Sequence, residues 1–205
     1  MRKFDHVWTY ACIDIDETFV EPQTPERQLE VCKLIAQMAM DAGVDIMEAG
    51  TPMMYSWGYR GIRELRNVVG PDFPLAADPK AQDGCECFFT NCKRYGADYA
   101  TVCVVNNDGG FRAALDAKKN CGIKVVADLF ATPEDQLVSR AVECEKMGAD
   151  VIQLHFGYDE NRLNIFPGRR DSDHVKEIAA AINIPLFVVA NEPEDVERCV
   201  RDGAD

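Results

Sequence analysis

Apolar positions gather along the chain in short runs, at 7–13, 46–48, 75–77, 99–105, 123–129, 151–155 and 184–190. Each run has the length of a buried strand. The segments between them, at about 25–42, 57–68, 84–95, 109–121, 133–147, 171–182 and 192–202, read as helices. Strands that alternate with helices predict parallel pairing and an α/β fold. Seven βα units of about 26 residues each suit a (β/α)8 TIM barrel better than a doubly wound sheet. No Gly-x-Gly-x-x-Gly follows any strand, which also counts against the open sheet.

One phrase recurs at nearly even intervals. Gly43-Val44-Asp45, Gly96-Ala97-Asp98, Gly148-Ala149-Asp150 and Gly203-Ala204-Asp205 share a pattern of Gly, a small apolar residue and Asp. The first three each close a helical segment and open a strand, and Gly suits the left-handed position past a helix end. The fourth falls where strand eight is due. The expectation is one barrel domain over 1–205, incomplete at its C-terminus and stopping before strand eight.

Composition narrows the classes. The 205 residues are 47% hydrophobic and 28% charged, enough for one sizeable core. The net charge is −13, with no basic cluster beyond Arg169-Arg170, which argues against a nucleic-acid partner. No apolar run approaches the roughly 20 residues that span a bilayer, and no leader-like apolar segment follows the N-terminus. Nine cysteines without a compact framework predict reduced thiols and a cytoplasmic setting. Cys85, Cys87 and Cys92 fit no common zinc spacing and read as buried or partly buried thiols.

Barrel enzymes carry their chemistry at the C-terminal ends of the strands. Here those ends hold Asp14, Asp16, Glu48, Asp78, Lys80, Asp128 and His155. Glu48 and Asp78 are hard oxygen ligands on adjacent strands and suit Mg²⁺. Lys80 beside carboxylates stays charged and can stabilise an anion. His155 can move a proton near neutral pH. An acid at a strand end often caps a helix or sits on a solvated loop, so Asp128, Asp16 and Asp171 are assigned that bland role. His6 and His174 fall outside the inferred mouth and read as structural.

Four motifs, taken in order, resemble the orotidine 5′-phosphate decarboxylase suprafamily. They are Asp14, Glu48-Ala49-Gly50-Thr51-Pro52, Asp78-Pro79-Lys80-Ala81-Gln82-Asp83 and His155-Phe156-Gly157-Tyr158-Asp159. Within it the likeness is nearest to 3-hexulose-6-phosphate synthase, with 3-keto-L-gulonate-6-phosphate decarboxylase as the related branch. The resemblance implies a Mg²⁺-dependent aldehyde-lyase that joins formaldehyde to D-ribulose 5-phosphate through a metal-bound enediolate. It implies metal ligands Glu48 and Asp78, enediolate stabilisation by Lys80 and acid–base work by His155. Asp14 would contact substrate and orient Lys80, and Asp83 would reach across a homodimer interface. A decarboxylase acting on a keto-sugar acid and a catalytically idle binding barrel are the rival readings.

The chain departs from the family pattern in three places. Pro79 cannot donate to a ladder, which predicts that strand three ends at Asp78. Ala190-Asn191-Glu192 stands where the family has a Gly-Gly phosphate turn, and the second half of the family's phosphate site would follow strand eight. Arg169 and Arg170, on the loop after strand six, are candidate replacements for the phosphate grip.

Overall fold

The alternating runs fold as parallel strands paired in chain order. The computed structural model describes residues 5–14, 24–105, 108–190 and 192–205. Its strands are β1 (Tyr10–Ile13), β2 (Ile46–Ala49), β3 (Leu75–Ala81), β4 (Tyr99–Cys103), β5 (Lys124–Asp128), β6 (Val151–Leu154) and β7 (Leu186–Val188). They form one sheet ordered β1 to β7, with every neighbouring pair parallel. The helices are α1 (Pro25–Asp41), α2 (Thr51–Trp57), α3 (Tyr59–Val69), α4 (Cys85–Tyr95), α5 (Asp108–Cys121), α6 (Leu137–Met147), α7 (Tyr158–Arg162), α8 (Val175–Ala181) and α9 (Pro193–Asp202). The sheet is curled as in a (β/α)8 TIM barrel. Its two end strands bring inward rings together, with Tyr10 and Phe187 centroids 5.5 Å apart and edge to face.

Two helices lie outside the predicted pattern. The segment expected at 57–68 is preceded by α2, which begins at Thr51-Pro52 and ends at Gly58. Pro is well placed in a first helical turn. Gly58, at φ 55, breaks the chain between α2 and α3. The short α7 lies in what reads as loop. Among the described residues no helix is long and apolar enough to cross a membrane.

Side chains alternate across each strand, and the two faces carry different chemistry. The outer set, including Met47, Leu75, Val102, Val125, Ile152 and Leu186, joins the core under the helices. The inner set at the barrel floor is also apolar: Ile46, Ala76, Tyr99, Val126, Val151 and Phe187, with Trp8 and Tyr10 packed against it. One inward step further along, the strands turn polar at Glu48, Asp78, Thr101, Asp128 and Gln153, all of them buried. Apolar packing thus closes the floor, and the charges stand above it.

The repeated Gly-x-Asp phrase is a strand-start device. Asp45, Asp98, Asp150 and Asp205 each accept, through a carboxylate oxygen, from the backbone N–H of Thr9, Leu75, Val125 and Leu186, at 2.8, 3.2, 2.8 and 3.2 Å. Each also donates its own N–H to the carbonyl of that same residue. The phrase therefore ties the entry of every even-numbered position in the winding to the base of the strand before it. Cations reinforce three of the ties: His6 on Asp45 at 2.8 Å, Arg66 on Asp98 at 2.7 Å and Lys118 on Asp150 at 2.7 Å. The preceding glycines take φ of 85, 114, 115 and 111, a region costly for other residues.

Candidate active site

Strand β3 does not stop at Asp78. It runs to Ala81, and its register against β4 shifts between Ala77↔Ala100 and Ala81↔Val102. Three residues of β3 there face the single Thr101. The expectation that Pro79 ends the strand is corrected: a bulge absorbs the missing donor, which is where a sheet tolerates Pro. Lys80 follows in the left-handed region at φ 46, a conformation that costs a non-glycine residue about 1–3 kcal/mol. The bulge brings the Lys80 ammonium and the Asp78 carboxylate together inside the barrel.

Lys80 Nζ lies 2.7 Å from Asp78 Oδ2, 2.9 Å from Asp128 Oδ2 and 3.1 Å from His155 Nδ1. Its ammonium is also 5.6 Å from the centre of the Phe130 ring, which tilts against the His155 ring. Asp78 is held by Thr51 Oγ1 at 2.9 Å and by the Thr101 hydroxyl. Asp128 Oδ1 accepts from Phe130 N at 3.0 Å. On β2, Glu48 accepts from the Tyr10 hydroxyl and, at 2.9 Å, from the Cys12 thiol. Cys12 also reaches Asp14 Oδ2 at 3.4 Å. Gly50 closes this corner, because a side-chain carbon there would collide with the Asp14 carboxylate. Gly157 does the same beside His155, where an added carbon would stand 3.0 Å from the Phe130 ring.

The charges do not balance. Asp14, Glu48, Asp78 and Asp128 surround one ammonium. Burial, and then the Asp78 charge, push Glu48 up to about 8. Burial likewise raises Asp14. Burial works against the Lys80 charge, but Asp128 and Asp78 outweigh it and hold the ammonium above its ordinary value. Asp128 is also penalised by burial, yet its bonds from His155 and Lys80 keep it below the usual carboxylate range. Glu48 and Asp14 therefore resist ionisation beside Asp78, and a hard cation in this corner would favour their charged forms. Among the described residues no group of three or more His, Cys, Asp or Glu side chains is placed to share a metal ion.

The structure brings together Asp14, Glu48, Asp78, Lys80 and His155, as the sequence predicts. It corrects the bland role given to Asp128, which is fully buried on β5 and bonded to Lys80. Asp171 is buried and bonds Asn161 at 3.2 Å. Asp16 lies outside the described residues, as does Asn191 of the altered phosphate turn. Asp83 is exposed on the bend before α4. Arg170 is exposed, while Arg169 is nearly buried and paired with Glu160 at 2.8 Å. Tyr10, Cys12 and Thr101 escaped the sequence reading, and Thr51 entered it only as part of a motif, without a role. Strand parity was the available signal for the strand residues, since Tyr10 and Cys12 alternate on β1, with Asp14 just past its end, as Tyr99, Thr101 and Cys103 do on β4.

Fold and site together define a parallel α/β barrel with an acid-rich cluster at the mouth, in which Glu48, Asp78 and Asp128 are buried and Asp14 is exposed. No protein-family model matches the chain. It is similar to the 3-hexulose-6-phosphate synthase of Staphylococcus epidermidis, 28% identical over 164 residues that cover 79% of this chain and 75% of the relative. The synthase of Staphylococcus aureus is 26% identical over the same shares. A crystal structure of 3-hexulose-6-phosphate synthase superposes with TM-score 0.78 at 23% identity, covering 97% of this chain and 87% of the other. The orotidine 5′-monophosphate decarboxylase of Methanocaldococcus jannaschii follows the same fold, with TM-score 0.72 at 18% identity, covering 98% and 86%. So does the 3-keto-L-gulonate-6-phosphate decarboxylase of Vibrio cholerae, with TM-score 0.70 at 18% identity, covering 94% and 83%. The likeness to the 3-hexulose-6-phosphate synthases, and to the fold of these decarboxylases, holds along most of the chain.

Proposed function

We propose that this protein is a lyase that joins formaldehyde to D-ribulose 5-phosphate, giving D-arabino-hex-3-ulose 6-phosphate, or runs that step in reverse. The observation that carries the reading is the meeting of Lys80 with Asp78, Asp128 and His155 within 3.1 Å. The relatives named 3-hexulose-6-phosphate synthase support the product, and the sequence resemblance implies the substrate pair.

Removal of a proton beside the ketose carbonyl leaves an enediolate, and a preorganised cation is the group that stabilises such charge. Lys80 is that cation, kept charged by its two carboxylates. His155 Nδ1 also stands 3.5 Å from Asp128 Oδ2, and with the ring proton directed there Nε2 is free to take the proton removed beside the carbonyl. The imidazolium so formed would pass that proton to the oxygen formed from formaldehyde, which balances the transfer, and the reverse reaction would run the same two steps backwards. Asp128 orients both partners from below. Glu48 and Asp78 would hold Mg²⁺, with water and substrate oxygens completing the shell. When bound, the ion would supply Lewis-acid polarisation of those oxygens. Asp14, beside Glu48 and Gly50, would meet the substrate.

The reading extends to assembly. Asp83 stands exposed next to Gly84, over which the half-exposed Phe88 packs. A second copy docked on this face would take Asp83 into its own mouth, making the protein a homodimer.

Purified protein with Mg²⁺, formaldehyde and ribulose 5-phosphate should consume formaldehyde. Asp78→Ala should lower the rate at least about 100-fold, as loss of a preorganised charge does. Release of CO₂ from 3-keto-L-gulonate 6-phosphate, with formaldehyde untouched, would instead place the chain with the decarboxylases. Silence on both substrates would reject a lyase.

A further inference from the structure

Strand β1 gives two donors to one carboxylate of its neighbour. The Tyr10 hydroxyl donates to Glu48 Oε2, and the Cys12 thiol donates to Glu48 Oε1 at 2.9 Å. Both contacts follow from the register. Cys12 pairs directly with Glu48, and Tyr10 lies two residues earlier on the same face. Neither residue belongs to the motifs that carry the family resemblance, and the reaction steps above use neither.

Each contact is built into its surroundings. The Tyr10 ring packs edge to face on Phe187 in the barrel floor, so its hydroxyl reaches Glu48 from a fixed base. Cys12 needs room at Gly50, where an added side-chain carbon would stand 2.7 Å from its sulfur. Gly50 has a φ of −66, so its backbone does not demand glycine, whereas the space beside Cys12 and Asp14 does. Glu48 itself is buried, which leaves its alignment to these donors.

A carboxylate turns about its last bond, and one donor at each oxygen stops that rotation. Asp78 is held in the same manner, by Thr51 on Oδ2 and Thr101 on Oδ1. An ionised carboxylate has about four acceptor positions, so a donor on each oxygen leaves room for a cation. Groups bonded to a metal's ligands set its affinity, and their loss costs about 10–100-fold. We propose that Tyr10, with Cys12 as the weaker partner, is a positioning residue that orients Glu48 beside Asp78 for a divalent cation. The inference rests on the metal reading above. A thiol is a weak donor and Cys12 is exposed, so the hydroxyl carries more of the effect.

Mn²⁺ is a suitable probe, because its free form is read directly by electron paramagnetic resonance. Tyr10→Phe keeps the ring and deletes the hydroxyl. It should weaken Mn²⁺ binding about tenfold or more, and Glu48→Gln should abolish it. Cys12→Ala should weaken it about threefold, as loss of one weak hydrogen bond does, while Cys12→Ser keeps a donor and should stay nearer wild type. Phe187→Leu loosens the floor and keeps the hydroxyl, so it should lower the melting temperature with Mn²⁺ affinity unchanged. Mn²⁺ affinity that Tyr10→Phe leaves intact, or that Phe187→Leu lowers as much as Tyr10→Phe does, would overturn the proposal. So would wild-type protein that binds no Mn²⁺, or binding that survives Glu48→Gln. Tyr10-dependent Mn²⁺ binding without formaldehyde consumption would keep the positioning role and reject the lyase. Formaldehyde consumption with Mn²⁺ affinity indifferent to Tyr10→Phe would do the opposite.

Discussion

Asp128 and Asp83 look equivalent as letters, each an acid near a strand end, and burial separates them. Asp128 is fully buried against Lys80 and His155, whereas Asp83 faces solvent. Replacing one member of a buried ion pair strands the other charge and costs about 3–5 kcal/mol. Asp128→Asn, which keeps one acceptor, should lose about 3 kcal/mol in urea unfolding by the same argument. Asp83→Asn should stay within about 0.5 kcal/mol of wild type. The motif made Lys80 and Asp78 legible because the two charges sit close in sequence. Asp128 was not legible, since its partner is 48 residues away and only the curl of the sheet joins them.

At the scale of elements, β3 and the repeated aspartates show how local chemistry serves the winding. Pro79 and the strained Lys80 would weaken a regular strand, and the bulge uses both to turn the ammonium inward. The Gly-x-Asp phrase was visible as a repeat, while its purpose needed the register of the sheet. At its first copy, the bond from Thr9 N, followed by that from His6, holds Asp45 below the usual carboxylate range. Asp45 in turn holds His6 above the usual imidazole value. The Asp45 contribution is present above the unfolded carboxylate value of about 4 and fades as pH falls through its lower folded value. The His6 contribution is full below about 6.5 and fades as pH rises through its higher folded value. Thermal melts across pH should therefore show the largest gap between wild type and Asp45→Ala between about pH 4 and 6.5. The gap should narrow on the acid side, and on the alkaline side it should keep only the part owed to Thr9.

For the whole molecule, the net charge of −13 makes capture of an anionic substrate a local task. The mouth answers with one ammonium bonded to Asp78 and Asp128, beside two carboxyl groups, Glu48 and Asp14, that resist ionisation, which suits a cation-assisted site better than an anion trap. If the homodimer shares Asp83, defects should complement across subunits. Asp83→Ala and Lys80→Ala, each inactive alone, should on mixing and subunit exchange regain about a quarter of wild-type sites, as random pairing in a two-fold dimer requires. An inactive mixture beside a sedimentation profile of exchanged dimers would show that Asp83 serves its own chain or none.

The order of the seven strands, the parallel barrel class and the choice of Glu48, Asp78, Lys80 and His155 as candidates came from the sequence alone, while α2 and α7 did not. Periodicity and short-range motif spacing encode them directly. Only the tertiary structure decided that Asp128, Thr101 and Tyr10 belong to the same cluster, and that Pro79 sits in a bulge. It also decided that Arg169 is spent on Phe156, Phe166 and Glu160 rather than free for phosphate. These facts depend on burial and on contacts between distant strands, and neither is fixed until the sheet curls and water is excluded.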